Sequence, residues 1–538
     1  MKKVGLFIAT LLVAGTCFSQ PSQTLVRPQL VVGVVVDQMR WDYLYRYYNR
    51  YGNDGFKRLL QQGYSCENTM INYLPSYTAP GHACIYTGSV PSIHGIAGND
   101  WIENTTGKHR YCVEDALVLP VGGSMSSGKM SPKNLLTTTI TDELRLATQF
   151  QSKVVGISLK DRGSILPAGH LGKAYWYDDS TGNFITSNYY ENELPQWLQE
   201  FNKRKLAKTY ISTAWETLYP LASYTQSLPD NNPFEGKLKG ETSPIFPHVF
   251  NTNSHKDIRK TPLGNTFTLD MAKAAISGER LGKKHTDFLC ISLSATDYIG
   301  HNYAPNSIEV EDTYLRLDKD IASFLKHLDQ TIGKGNYLFF LTADHGAAHN
   351  AEYFNSLNIP AGNESERALG KQLNSYVEQK TGQTLLIRGV ENYQVVLNDS
   401  AIQHSKMNRQ DVKALVQEYL LQKPQVAYVL DMENLSTAAV PESIKQKAIH
   451  GYNRNRSGDM LIINHPGWYY GYGNTGTTHS TWHPYDTHIP LLFFGWKVVP
   501  GKTNRTVYME DIAPTLAALL HIQMPNGCMG NVITEVMP

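Results

Sequence analysis

Gln29-Leu-Val-Val-Gly-Val-Val-Val-Asp37 is the stretch whose reading decides the fold. A continuous β-branched run of this length, stopping at a carboxylate, predicts a strand buried on both faces, as strands of parallel sheets are. Residues 43–62 follow as an amphipathic stretch, with Gly63 as the expected C-cap. The same grammar recurs downstream. Residues 137–150 predict a helix and 152–158 a strand; 267–281 a helix and 287–293 a strand. Residues 309–332 predict a long helix before a strand at 337–342, then strands at 459–464 and 489–495 and a helix at 511–521. Alternation of this kind predicts an α/β fold, a doubly wound, mostly parallel sheet flanked by helices. Right-handed crossovers would bring the carboxyl ends of the strands to one edge, where ligands bind in open α/β sheets.

Two regions interrupt the pattern. Residues 174–262 are rich in Tyr, Pro, Asn and Ser, with a small hairpin expected near 175–185. Residues 351–456 carry a helix at 410–422 and short strands near 393–397 and 426–430. Both read as cap-like insertions in one α/β domain spanning 20–538.

The N-terminus has the order of a secretory leader: Lys2 and Lys3, an apolar run over residues 4–14, then small residues up to Ser19. A signal peptide over 1–19 is expected, with a lipid anchor on Cys17 as the weaker alternative. The apolar run is short for a membrane span. Hydrophobic residues make up 41% of the chain and charged ones 18%, enough apolar material for a large core. A formal net charge of +1 gives no electrostatic case for a nucleic-acid or anionic-membrane partner. Five cysteines remain beyond the leader, an odd number without paired zinc-thiolate spacing, so core packing with at most one bridge is expected.

Ionisable residues cluster where strands are expected to end. Asp344-His345 follows the run at 338–342; Asp297 and His301 stand four apart after 287–293; Asp37 closes the first strand; His479 precedes the strand at 489–495. Oxygen and nitrogen donors without thiolate suit tetrahedral zinc. Singly, each such residue reads as readily as a turn or a cap, and His483 and His488 keep that reading. Thr78, with Pro80 two positions on, lies at the mouth of an expected helix, either as a plain cap or as a hydroxyl nucleophile where N–H groups attract phosphate. Lys160 and Arg162 follow the strand at 152–158 and could clamp phosphate oxygens. Asn99 could add an amide donor.

With these residues the chain resembles the alkaline phosphatase superfamily, and most closely the phosphate-irrepressible, PafA-like bacterial alkaline phosphatases. The closing Asp511-Ile-Ala-Pro-Thr-Leu-Ala-Ala-Leu-Leu520 is also typical of that superfamily. The resemblance implies two zinc ions, one held by Asp37, Asp344, His345 and the Thr78 oxygen, the other by Asp297, His301 and His479. It implies that Asn99, Lys160 and Arg162 hold the phosphate. Lys160 and Arg162 would fill the place of a magnesium site, so no obligatory magnesium is expected. Ser480 departs from the glycine that relatives often carry, and His488 is a rival to His479. The implied activity is hydrolysis of small phosphate monoesters through a covalent phosphothreonine at Thr78. The expected product is a monomeric periplasmic or secreted enzyme with no nucleic-acid partner and no stable membrane association. A phosphodiesterase or nucleotide pyrophosphatase of the same superfamily, or a non-catalytic secreted zinc-binding protein, is the alternative. A sulfatase is disfavoured, because Thr78-x-Pro80-x-His82 lacks that family's modification motif.

Overall fold

The computed structural model describes residues 25–471 and 473–538; the expected leader and its cleavage position lie outside them. The opening run forms the strand Leu30–Val36, buried at every position. It is the centre of an eleven-stranded sheet among the described residues. Tyr337–Thr342 and Asp287–Leu293 pair with it in parallel on either side. Val154–Ser158 and then Lys173–Asp178 continue in parallel beyond the latter. Leu491–Gly495 runs antiparallel beyond Tyr337–Thr342 and leads to Tyr64–Met70. Helices pack against these strands around one large apolar core, giving the expected α/β class.

Gly33 interrupts the β-branched run for a packing reason. A Cβ there would lie 2.4 Å from Cζ of Phe340 and 2.6 Å from the Tyr86 hydroxyl. The missing side chain thus lets the helix Thr78–Thr87, which carries Tyr86, close onto the central strand.

Strand register positions the site. Val35 pairs with both Ser292 and Thr342, and Ser158 pairs with Ser292. Two residues further on, Asp37, Asp344 and Lys160 therefore leave three strands at one level. Asp297 joins them from the first turn of the helix Ala295–Tyr303.

Several elements differ from expectation. The stretch 43–62 is split into Tyr43–Arg46, a 3-10 turn at Tyr48–Arg50, and Phe56–Gln62. The Asp318 carboxylate causes the break by accepting the N–H groups of Gly52 and Phe56 at 2.7 and 2.8 Å. Gly63 ends the helix in an extended conformation, without the left-handed turn expected of a C-cap. The hairpin near 175–185 forms as Lys173–Asp178 and Asn183–Ser187 but extends the central sheet and is not part of an excursion. Met460–Asn464 lies in a separate four-stranded sheet with Ile387–Glu391, Gln394–Leu397 and Val426–Asp431. That sheet and the helices Glu366–Thr381 and Arg409–Leu420 share their own apolar core.

The loop over 213–250 is tied down by buried polar contacts. Trp215 donates to Asp312, and His248 sits between Glu241 and Glu309 at 2.9 and 3.1 Å. Both acidic partners on the main body, Glu309 and Asp312, belong to the helix Ile308–Leu328. All five described cysteines are free, four of them buried, so the possible bridge does not form. No helix among the described residues is long and apolar enough to cross a membrane.

Candidate metal and phosphoryl-transfer site

At the sheet edge two donor groups come together: Asp37 with Asp344 and His345, and Asp297 with His301 and His479. In the first, Nε2 of His345 stands 3.5 Å from Asp37 Oδ1 and 3.6 Å from Asp344 Oδ2. In the second, Asp297 Oδ1 is 3.1 Å from Nε2 of His301 and 3.8 Å from Nε2 of His479. The imidazoles of His345 and His479 stack at 3.5 Å between centroids, so the two groups adjoin.

The imidazoles are all oriented the same way. Nδ1 of His345 faces the Gly346 carbonyl, Nδ1 of His301 the Thr477 carbonyl, and Nδ1 of His479 the Ser76 carbonyl, at 2.9–3.0 Å. A backbone acceptor at Nδ1 favours the tautomer whose Nε2 is bare and directed inward, the orientation that metal-ligating histidines take. Asp37 Oδ1 and Asp344 Oδ2 are buried without a hydrogen-bond donor. Burial, and then the charge of Asp297, push the Asp37 carboxyl up to about 6; burial and Asp37 push Asp344 well above its ordinary value. Burial alone would also raise Asp297, but His301 and Lys160 hold it well below the usual range. Asp37 and Asp344 thus lack sufficient positive charge, and one oxygen of each has no partner. The donor set of carboxylate oxygen and imidazole nitrogen fits divalent zinc in both groups.

Thr78 is the first residue of its helix and is 1% exposed. Pro80 occupies the third helical position, where its missing N–H leaves no gap in the helix ladder. Oγ1 of Thr78 lies 3.5 Å from both His345 Nε2 and Lys160 Nζ. The Asn99 side-chain oxygen accepts the Ala79 N–H at 2.9 Å, which fixes the amide beside the helix mouth. Lys160 donates to Asp37 Oδ2 and Asp297 Oδ2 at 2.7 and 2.6 Å and so bridges the two groups. Burial would lower its pKa, but Asp297 and Asp37 outweigh burial and keep it cationic. Arg162 donates to the Tyr111 hydroxyl at 3.0 Å, while its Nε is buried without a partner.

His488 lies outside both groups: its Nε2 faces the Glu67 carbonyl at 2.9 Å and its ring stacks on Trp41. Ser480 has φ +96°, a region that favours glycine. Three residues at the site were not anticipated. His82 sits four residues after Thr78, facing its carbonyl at 2.8 Å and Ser292 Oγ at 2.9 Å; its i+4 spacing was the available signal. Tyr111 and Gln38 had none. A cavity of about 440 Å³ opens beside the second group, lined by Tyr77, His301, Arg367, Tyr469, Tyr470 and Thr477.

Known proteins share this architecture. Residues 31–486 match the family model of type I phosphodiesterase / nucleotide pyrophosphatase. A protein of Myroides odoratus named calcium-transporting ATPase is 51% identical, covering 99% of each chain. Alkaline phosphatase PafA of Elizabethkingia meningoseptica is 50% identical over 98% of each. The crystal structure of wild-type PafA superposes with a TM-score of 0.94 over 96% of this chain and 100% of that one, at 50% identity. A PafA variant changed at one threonine, one asparagine, one lysine and one arginine superposes at 0.93. The chain therefore belongs to the type I phosphodiesterase / nucleotide pyrophosphatase family, and its near-full-length likeness in sequence and structure to PafA places it among the alkaline phosphatases, hydrolases of phosphate monoesters.

Proposed function

We propose that this alkaline phosphatase is a zinc enzyme that transfers the phosphoryl group to Thr78 before water removes it. The observation that carries the reading is the position of Thr78 Oγ1: at a helix N-terminus, beside Lys160, within reach of the first donor group. Asp37, Asp344, His345 and the Thr78 oxygen would hold one zinc, and Asp297, His301 and His479 the other. Zinc held there would supply Lewis acidity to the hydroxyl nucleophile and to the leaving oxygen.

The chain's own residues do the positioning. The positive end of the helix dipole and the Asn99 Nδ2 amide favour phosphate oxygens at the helix mouth. Arg162, with Nε free, and Lys160 offer fixed cations to the non-bridging oxygens. The bond from Thr78 Oγ1 to phosphorus forms as the ester P–O bond breaks, releasing the alcohol. Water then attacks the same phosphorus, Thr78 leaves, and phosphate is freed. The cations favour a monoester dianion over a diester, whose second substituent would displace one contact. The comparison with the PafA variant supports these roles, since that protein was altered at the same four residue types. Lys160 fills the space between the groups, which supports a site without obligatory magnesium. The leader-like N-terminus supports a secreted or periplasmic enzyme, and the near-neutral charge supports one with neither a nucleic-acid nor an anionic-membrane partner.

Acid quenching during turnover of a labelled monoester should leave phosphate on the peptide that contains Thr78, and Thr78→Ala should abolish it. Label on another residue, or parental turnover by Thr78→Ala, would falsify the assignment.

A further inference from the structure

We infer that Gln38 is a positioning residue that sets the two metal groups relative to each other, and that position 300 is glycine so that it can. This rests on reading the groups as zinc sites. Gln38 directly follows Asp37 and takes φ +66°, a left-handed turn uncommon for a residue with a side chain. The turn sends its two donors to different groups. Its backbone N–H donates to Asp344 Oδ1 at 3.1 Å, in the first group. Its side-chain Nε2 donates to Asp297 Oδ1 at 2.8 Å, in the second. Lys160 holds the other oxygen of Asp297, so together they fix both ends of that carboxylate. The Gln38 side chain is 4% exposed, and an amide is the donor needed: it orients Asp297 without adding charge beside a cation.

Gly300 lies three residues after Asp297 on the same helix. A Cβ there would fall 1.8 Å from Gln38 Oε1 and 3.0 Å from its Cδ, and the third nearest atom is its Nε2. All three of the nearest atoms belong to Gln38. Adding a methyl at 300 must therefore push the amide off Asp297, and the same methyl is harmless once Gln38 is truncated.

The experiment measures zinc retained per chain after equilibration of the holoenzyme with graded chelator, together with kcat/KM for a chromogenic monoester. Gln38→Ala and Gly300→Ala should each weaken retention of one zinc equivalent by about 10–100-fold, and kcat/KM by a similar factor. The double variant should match Gln38→Ala alone. Gln38→Met keeps the volume and lacks the donor, so it should behave as Gln38→Ala, which separates the hydrogen bond from packing. Parental retention by Gln38→Met, no effect of Gly300→Ala, or multiplied losses in the double variant would each overturn the inference. A parent enzyme that itself binds no zinc would overturn the site reading beneath it.

Discussion

Arg162 and Lys160 stand two residues apart, yet their surroundings assign them different work. Lys160 is bonded to Asp37 and Asp297, whereas among the described residues the Arg162 side chain bonds the Tyr111 hydroxyl alone and keeps Nε free. Removing Arg162 should therefore remove a contact to substrate alone. Arg162→Ala is expected to lower kcat/KM for a monoester by on the order of 10²–10³, with much less effect on a diester and with bound zinc unchanged. Lys160→Ala is expected to lower both reactions, because Asp37 and Asp297 lose their shared counter-charge. Paired rates on the two substrates with a zinc count decide it; equal losses in Arg162→Ala would make that residue structural. Most of the site carboxylates and imidazoles were legible because they stand at or shortly beyond the end of an apolar run, whereas His479 was placed only by the strand that follows it. Gln38 was not, since its role depends on a positive φ and on a glycine 262 positions away.

The elements were legible where apolar periodicity alone determined them and obscure where a distant side chain intervened. The central strands formed where the β-branched runs predicted. Asp318 broke the amphipathic stretch at 43–62 from the far side of the sequence, and no local pattern announces such a contact. Met460–Asn464 has the residues of a buried strand, but periodicity cannot say which sheet buries it. Helix Ile140–Ala147, expected over 137–150, shows a local signal that was strong enough. Thr139 accepts the Asp142 N–H and Asp142 accepts the Thr139 N–H, both at 3.0 Å, so the helix starts there. Thr139→Ala should cost about 1 kcal/mol of stability in urea unfolding and leave kcat of the folded enzyme unchanged. An unchanged urea midpoint would mean that packing, with no contribution from the cap, sets that helix start.

Across the whole molecule, the site draws its donors from parts of the chain that lie far apart in sequence. Its donors run from Asp37 to His479, and His479 arrives from beyond the small sheet to lie against His345. An unfolded chain cannot assemble such a set, so on the zinc reading the metal would bind the folded state almost exclusively. Linkage then requires stability to rise with free zinc, by about 1.4 kcal/mol per site for each tenfold increase above the dissociation constant. The raised Asp37 and Asp344 carboxyls give the reason in charge: without cations the fold buries acids that neither lysine nor arginine fully compensates. Urea unfolding at buffered zinc concentrations should thus show a midpoint climbing with zinc, and buffered magnesium should not reproduce the climb. Asp344→Asn removes a donor from one group only, so its dependence on zinc should fall to about half the parental slope. A parental midpoint indifferent to zinc would break the linkage argument, and an undiminished slope in Asp344→Asn would remove that residue from the donor set.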